Sequence, residues 1–560
     1  MSLLVSAHPR SLYHHCWAGR KSLKTCRSTS STTLSIHAQI GTSTRPLFDL
    51  INHSTVDDDA HDHPSNDNNK PNPHFYLDGY YAPVDQETNP TSDLPVSGSI
   101  PECLNGEIVR IVPNPKFNPI AKYQWFDGDG FLHGLKIKDG KASYVARFVQ
   151  TSRLQQEEVY GAAKFFKASV RLFHPNSYNF LTIIFLLRIM LGVLDISNGF
   201  GTANTGLVYH NNKLLALYEA DKPYAIKVLE DGDFKTMGRV NYGSPTDYLT
   251  AHPKIDPVTG EMFGFYYQIV SPYLTYQVFS KEGVLMESVP ITVRDSVVMH
   301  DFAITENYAI VMDLSLVIKF KNLIHGEHLI KFDPNKESRL GLLPRYAKDD
   351  SQIRWFTIPT CMIFHNANAW EEGDEVVLVS NNNERLTTFD NKLFTNAFSI
   401  LFVHLEYWAN ILCPISLVPN SHQDTNVTIF ANLGRKQQYT YACLYDDMID
   451  KFIGVVKYDL SLEPHLHTRD LRVGGNIKGV FLHGKGRWGS EAIFVPRIAS
   501  KEILEDDGYL ICFVHDERIG NSEVVIIDAK TKASKPVAVI SLPSKVPSGF
   551  HSTFLSQVRN

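Results

Sequence analysis

The chain is punctuated throughout its body. Short apolar runs rich in β-branched and aromatic residues alternate with Asp-Gly and proline-containing turn signals. Gly106-Glu107-Ile108-Val109-Arg110-Ile111, Leu214-Leu215-Ala216-Leu217-Tyr218, Glu375-Val376-Val377-Leu378-Val379 and Val524-Val525-Ile526-Ile527 are such runs. Asp127-Gly128-Asp129-Gly130, Glu230-Asp231-Gly232 and Asp507-Gly508 are such breaks. β-branched side chains fit a pleated surface, and Asp-Gly pairs fit tight turns. Many short strands at this spacing restrict the body to a sandwich, a barrel or a propeller. A length of 560 residues alone would suggest three or four domains, but it leaves room for one large propeller, which grows by adding blades about an axis. No letter-by-letter repeat is visible, so its blades would be degenerate.

The ends of the chain read differently. Residues 1–45 carry Arg10, Arg20, Lys21, Lys24, Arg27 and Arg45, a hydroxyl run from Ser28 to Thr33, and no acidic residue before Asp49. Basic, hydroxyl-rich and acid-free is the composition of an organelle transit peptide. Residues 46–73 include NHSTVDDDAHDHPSNDNNKPNP, too polar to offset the entropy of ordering, and read as a linker. The folded body is expected over 74–560. Within it Tyr178 to Leu194 is one apolar run with Arg188 in its middle. Lys164, Lys167 and Arg171 precede it, interleaved with Phe165, Phe166 and Phe173. Two readings stay open: a helix lying in a membrane interface beside a basic collar, and a helix buried in the core.

Charge and cysteine usage exclude several function classes. A formal net charge of −6, with no basic patch interleaved with aromatics, argues against nucleic acid as a partner. The seven cysteines form no C-x-x-C pair, so a thiolate zinc site is not expected.

Among 23 histidines, four stand out by their surroundings. His252 lies in TAHPKIDP, His300 in VVMHDFAIT, His365 in MIFHNANAW and His551 in PSGFHSTF. An apolar or small residue precedes each ring, which places it inside the core. No local helix or hairpin could join positions so far apart in sequence, but inner strands of successive blades could. Four neutral imidazoles meeting on an axis would make a nitrogen-only site for a metal such as Fe, Cu, Zn or Ni. Spacing alone is a weak warrant for choosing these four.

The specific signal is a set of blocks in fixed order. FDGDGFLHG, TAHPKIDPVTGE, MHDFAITENYAI, LGLLPRY, NAWEEGD, EDDGYLICFVHDE and the closing GFHSTF resemble the carotenoid cleavage oxygenase family from about Asn105 to Phe554. The resemblance implies an all-β, seven-bladed β-propeller with a helical dome over the active-site face. It implies a non-haem Fe(2+) held by His252, His300, His365 and His551. It also implies acidic partners for the imidazoles at Glu219, Glu491 and Asp424. VYGAAKFF, ANTGLVY and PYAIKVLEDGDFKTMGR look most like the plant class-four members, found in plastids. The sequence departs from the family at Arg110-Ile111-Val112-Pro113-Asn114-Pro115, where relatives have Arg-Asn-Gly-Pro-Asn-Pro. It departs again at Gly489-Ser490-Glu491-Ala492, where Gly-Gly-Glu-Pro is usual, and at Asp424, where many have Glu.

The implied activity is oxidative cleavage of a C=C bond in a carotenoid or apocarotenoid by O2. The 9,10 or 9',10' bond is expected, with 7,8 as a further option. A monomer touching a plastid membrane or plastoglobule, in the chloroplast, is the expected setting. A retinoid-type isomerase and a propeller that binds carotenoid without turning it over are the competing readings.

Overall fold

The computed structural model describes residues 2–6 and 75–556, apart from 120–122, 124, 166–184, 186, 220, 244–247, 320–328, 359, 383–431, 447–450, 463–472, 498–503 and 531–534. The expected β-runs are strands. They lie in Gly106–Asn114, Lys213–Leu217, Glu375–Asn382 and Asn521–Asp528. Every pairing between them is antiparallel, and most sheets are simple meanders of consecutive strands.

Six sheets draw three or more strands from residues 88–556. The one built from Lys254–Ile255, Met262–Tyr267, Leu274–Phe279 and Leu285–Ile291 is typical. A seventh position is held by the pair Ile363–Glu372 and Glu375–Asn382, with Ser2–Ser6 along its outer edge. The stretch that follows that pair, 383–431, falls outside the described residues. The described body therefore makes six complete blades rather than the expected seven. Helices are few among the described residues: the α-helix Ser152–Tyr160, a stretch at 187–190 and short 3-10 turns.

The ring closes by exchange of its ends. Ser552–Ser556 pairs with Gly106–Asn114, and Val96–Gly98 pairs with Ala538–Ser541. Closure of this kind leaves no long unpaired edge at the join. Apolar clusters fill the gaps between neighbouring blades. One packs Phe131, Leu135 and Phe148 against Ile511, Val524 and Ile540, and so welds the first strands to the last.

One glycine-rich turn signal acts differently from expectation. Asp127-Gly128-Asp129-Gly130 is not a free turn, since Asp129–Lys138 is already a strand. A Cβ on Gly128 would meet the backbone N of Asn114 at 2.5 Å, and one on Gly130 the carbonyl of Ala203 at 2.3 Å. Only glycine lets these segments approach so closely. The tight turn of the same hairpin is instead Asp139-Gly140, where φ is positive at both residues.

Candidate metal centre

The four singled-out histidines occupy equivalent places in four sheets. His252 stands two residues before Lys254–Ile255, His300 three before Ala303–Ile304, and His551 one before Ser552–Ser556. His365 lies within Ile363–Glu372. Each of these strands is the terminal one of its sheet, so each ring leaves a blade at the same edge. Three rings are buried, and His252 is partly so.

The rings converge. Nε2 of His252 is 2.9 Å from Nε2 of His300. One nitrogen each from His252, His365 and His551 lie within 4.8 Å of one another. The ring centroid of His252 is 4.4 Å from that of His300 and 4.8 Å from those of His365 and His551. Two nitrogens bound at right angles to one metal over bonds of about 2.1 Å lie about 3 Å apart. The His252–His300 separation matches that spacing.

Electrostatics keep His252 and His365 neutral. Burial lowers the pKa of His252 well below the usual imidazole value, and His300, His551 and His365 around it lower it further. Burial pushes His365 down to about 3, with His300 and His551 acting in the same direction against Asp301. A neutral imidazole offers the lone pair that a metal needs.

Carboxylates take the other ring nitrogen of two histidines. His300 Nδ1 contacts Glu219 Oε1, and Glu219 Oε2 accepts from the Tyr267 hydroxyl at 2.5 Å. His551 Nδ1 lies 3.2 Å from Glu491 Oε1, and Glu491 Oε2 accepts from the Ser552 N–H at 2.7 Å. Such bonds fix the tautomer and the plane of a metal-binding ring. Glu219 and Glu491 thus each lie beside one of the four rings. Asp424 lies outside the described residues. Sequence reasoning missed Asp301, whose Oδ2 is 3.8 Å from His365 Nδ1. Its signal was an acidic residue between two core-facing neighbours, His300 and Phe302, which reads as an ordinary surface residue until the strand is placed.

The walls are apolar. Phe364 stacks on His300 with centroids 3.9 Å apart. Phe550, next to His551, packs on Trp125 at 4.3 Å and on Phe126 at 5.0 Å. A buried, nitrogen-only donor set ringed by aromatics fits a divalent transition metal such as iron.

Comparison with known proteins adds the relatives. A family model described as retinal pigment epithelial membrane protein matches residues 81–556. A carotenoid 9,10(9',10')-cleavage dioxygenase from Crocus sativus is 51% identical over 87% of this chain and 90% of its own. One from Phaseolus vulgaris is 50% identical with the same coverage. A probable carotenoid cleavage dioxygenase 4 from Arabidopsis thaliana is 36% identical over 87% of this chain and 81% of its own. The expected nearness to the class-four members is therefore corrected, since the 9,10(9',10') group is clearly more similar. Among solved structures, a lignostilbene dioxygenase from Pseudomonas brassicacearum superposes with a TM-score of 0.67 at 23% identity, over 86% of this chain and 98% of that one. A cobalt-substituted apocarotenoid oxygenase from Synechocystis gives 0.63 at 22% identity, over 87% and 99%. These two support the propeller fold.

Proposed function

Because this chain belongs to the retinal pigment epithelial membrane protein family, the carotenoid cleavage oxygenases, we propose that it is a dioxygenase splitting the 9,10 and 9',10' double bonds of a carotenoid or apocarotenoid. The observation that carries the reading is the meeting of four imidazoles from four blades, two of them braced by carboxylates. Fe(2+) would be held by His252, His300, His365 and His551, where it supplies activation of O2.

The chain's own residues do the rest. Glu219 and Glu491 hold protons at Nδ1 of His300 and His551, which turns each Nε2 lone pair toward the shared point. Phe364, Phe126 and Phe550 give the site an apolar face. A polyene offers almost no polar handle, so its placement rests on shape and on exclusion of water. Which bond is cut then follows from how deep the chain of double bonds enters.

Membrane contact is part of the proposal. Arg188, the one charge in the apolar run, turns back and donates to the Lys164 carbonyl at 2.7 Å. Tyr160 donates to the Val193 carbonyl at 2.6 Å from the neighbouring helix. With those groups satisfied inward, Leu187, Met190 and Leu191 stand exposed together, and Val159 is exposed near them. No helix among the described residues is long and apolar enough to cross a membrane. An apolar patch on one side suits a protein that draws its substrate from a lipid surface. The composition of 1–45 supports plastid targeting, and the reading takes the protein as a monomer.

The test is iron content and O2 uptake with a panel of carotenoids, followed by analysis of the products. The reading expects one iron per chain and substrate-dependent O2 uptake, with carbonyl products from the 9,10 and 9',10' positions. Full iron occupancy without substrate-dependent uptake would make the protein a carotenoid-binding propeller instead.

A further inference from the structure

One side-chain amide holds part of the aromatic wall beside the metal centre. Asn204 is fully buried. Its Nδ2 donates to the Phe126 carbonyl at 2.9 Å and to the Gly128 carbonyl at 2.6 Å. Its Oδ1 accepts from the Thr205 hydroxyl at 2.9 Å. The two carbonyls lie at the end of the 3-10 turn Trp125–Asp127. A helical turn leaves its last carbonyls without partners of its own, and here one amide serves two of them.

That turn carries two aromatics of the wall. Phe126 stacks on Phe550, next to His551, with centroids 5.0 Å apart and planes 7° apart. Trp125 Nε1 donates to the Ser548 carbonyl at 3.1 Å. The turn is thus hung from both sides. Trp125 ties it to the segment that ends in His551, and Asn204 ties it to the blade that begins with Gly206–His210.

The backbone before Asn204 is bent to make this contact. Ala203 has a φ of 48°, in the left-handed region that non-glycine residues seldom adopt. The Thr202 carbonyl accepts from the Gly130 N–H at 2.8 Å. Strain of this kind persists only where surrounding contacts over-determine it, and here those contacts go to the segment that follows the aromatic turn.

Resting on the dioxygenase reading above, we propose that Asn204 is a positioning residue for bond choice. It acts through Phe126. By holding the Trp125–Asp127 turn it sets where that ring stands beside the four imidazoles, and so where along its length the polyene comes to rest. The competing role is support of the fold alone. That role leaves fewer active molecules, each cutting the same bond.

The product pattern separates the two. The iron-loaded full chain is given lycopene in detergent micelles. This acyclic carotenoid repeats near-identical double bonds, so a change in depth is read directly as a change in product. The variants are Asn204→Ala, Phe126→Leu and the two combined, with iron content and thermal midpoint following the fold. Asn204→Ala should keep its iron and raise KM. It should also change the ratio of the main product to those of neighbouring bonds by about 10-fold or more. In the combined variant Asn204→Ala should add little to the change made by Phe126→Leu, because the two share one path. An unchanged product ratio with iron retained would overturn the proposal, whatever happens to kcat. So would a shift that adds in full to that of Phe126→Leu. If Asn204→Ala fails to fold, Asn204→Ser is read by the same criteria, and failure of both assigns the amide to folding alone. Wild type that takes up no O2 with any carotenoid sinks the dioxygenase reading and this proposal together. Wild type that cleaves while Asn204→Ala cleaves in the same ratio sinks only this one.

Discussion

His252 and His300 bring their Nε2 atoms to 2.9 Å although 48 residues separate them. His300 already uses Nδ1 toward Glu219, so its Nε2 carries a lone pair when the ring is neutral. A lone pair held this close to a second imidazole nitrogen is satisfied by a proton or a metal between them. His300→Ala should therefore abolish both bound iron and cleavage. Metal analysis and O2 uptake on the purified variant check this, and retained iron with full turnover would contradict the assignment.

Glu219 is itself held by Tyr267. Glu219→Gln keeps the size of the side chain and removes its charge. Metal affinity should fall about 10- to 100-fold. Tyr267→Phe leaves the carboxylate in place and loses one hydrogen bond, so its effect should be smaller than that of Glu219→Gln. Competitive titration with a chelator ranks the two. A larger loss from Tyr267→Phe would mean that the hydroxyl, not the carboxylate, orders this side of the centre.

Arg110 is fully buried beneath His551. It donates to the Gly549 carbonyl at 2.7 Å and toward Ser552 Oγ at 3.3 Å, on either side of that histidine. Burial lowers its pKa, and charge from Tyr80 and Glu491 opposes that fall. Arg110→Met would remove the buried cation that donates to Gly549 and Ser552. A hydrogen bond from a charged group contributes roughly 1.5–3 kcal/mol. Urea unfolding should show a loss of that order, and an unchanged midpoint would mean that the segment 549–552 holds itself.

Much of this was legible in the sequence, for a physical reason. Strand positions are written in local pattern, while the choice of the four histidines, and of Glu219 and Glu491, came from blocks that resemble the family. The subclass was misjudged because its blocks lie on shared framework. ANTGLVY runs into Gly206–His210, and PYAIKVLEDGDFKTMGR covers Tyr224–Val228 and Phe234–Arg239. Those strands form a blade that contributes Glu219 but none of the four rings, so they say little about which bond is cut. Asp301 was missed because its partners, Lys254 and Asn366, are far off in sequence and meet it only once the blades are stacked.

Two histidines away from the centre set a pH dependence. His133 and His483 are buried, and burial pushes each down to about 3, with Arg110 and Arg487 respectively adding to the fall. In the unfolded chain both rings take a proton near 6.5. Between about 3 and 6.5 the unfolded state thus binds more protons, and stability rises with pH across that window. Metal-free protein should lose unfolding midpoint steadily as pH drops from 6.5 toward 3. His133→Gln should flatten that slope; a slope unchanged in this variant would place the titration elsewhere.

The exposed apolar patch gives the last prediction. Leu187, Met190 and Leu191 are 47%, 80% and 76% exposed, while Arg188 between them points inward. Burying such side chains in lipid is worth about 1.5–3 kcal/mol each. Replacing the three with serine should release the protein from vesicles, lowering its partition coefficient by roughly 100-fold or more. The metal centre lies on other elements, so iron content should stay at the wild-type level. Co-sedimentation with liposomes at two salt concentrations separates this from charge attraction through Lys164. Vesicle binding that survives the triple serine change but vanishes in high salt would make the basic residues, not the apolar ones, the membrane contact.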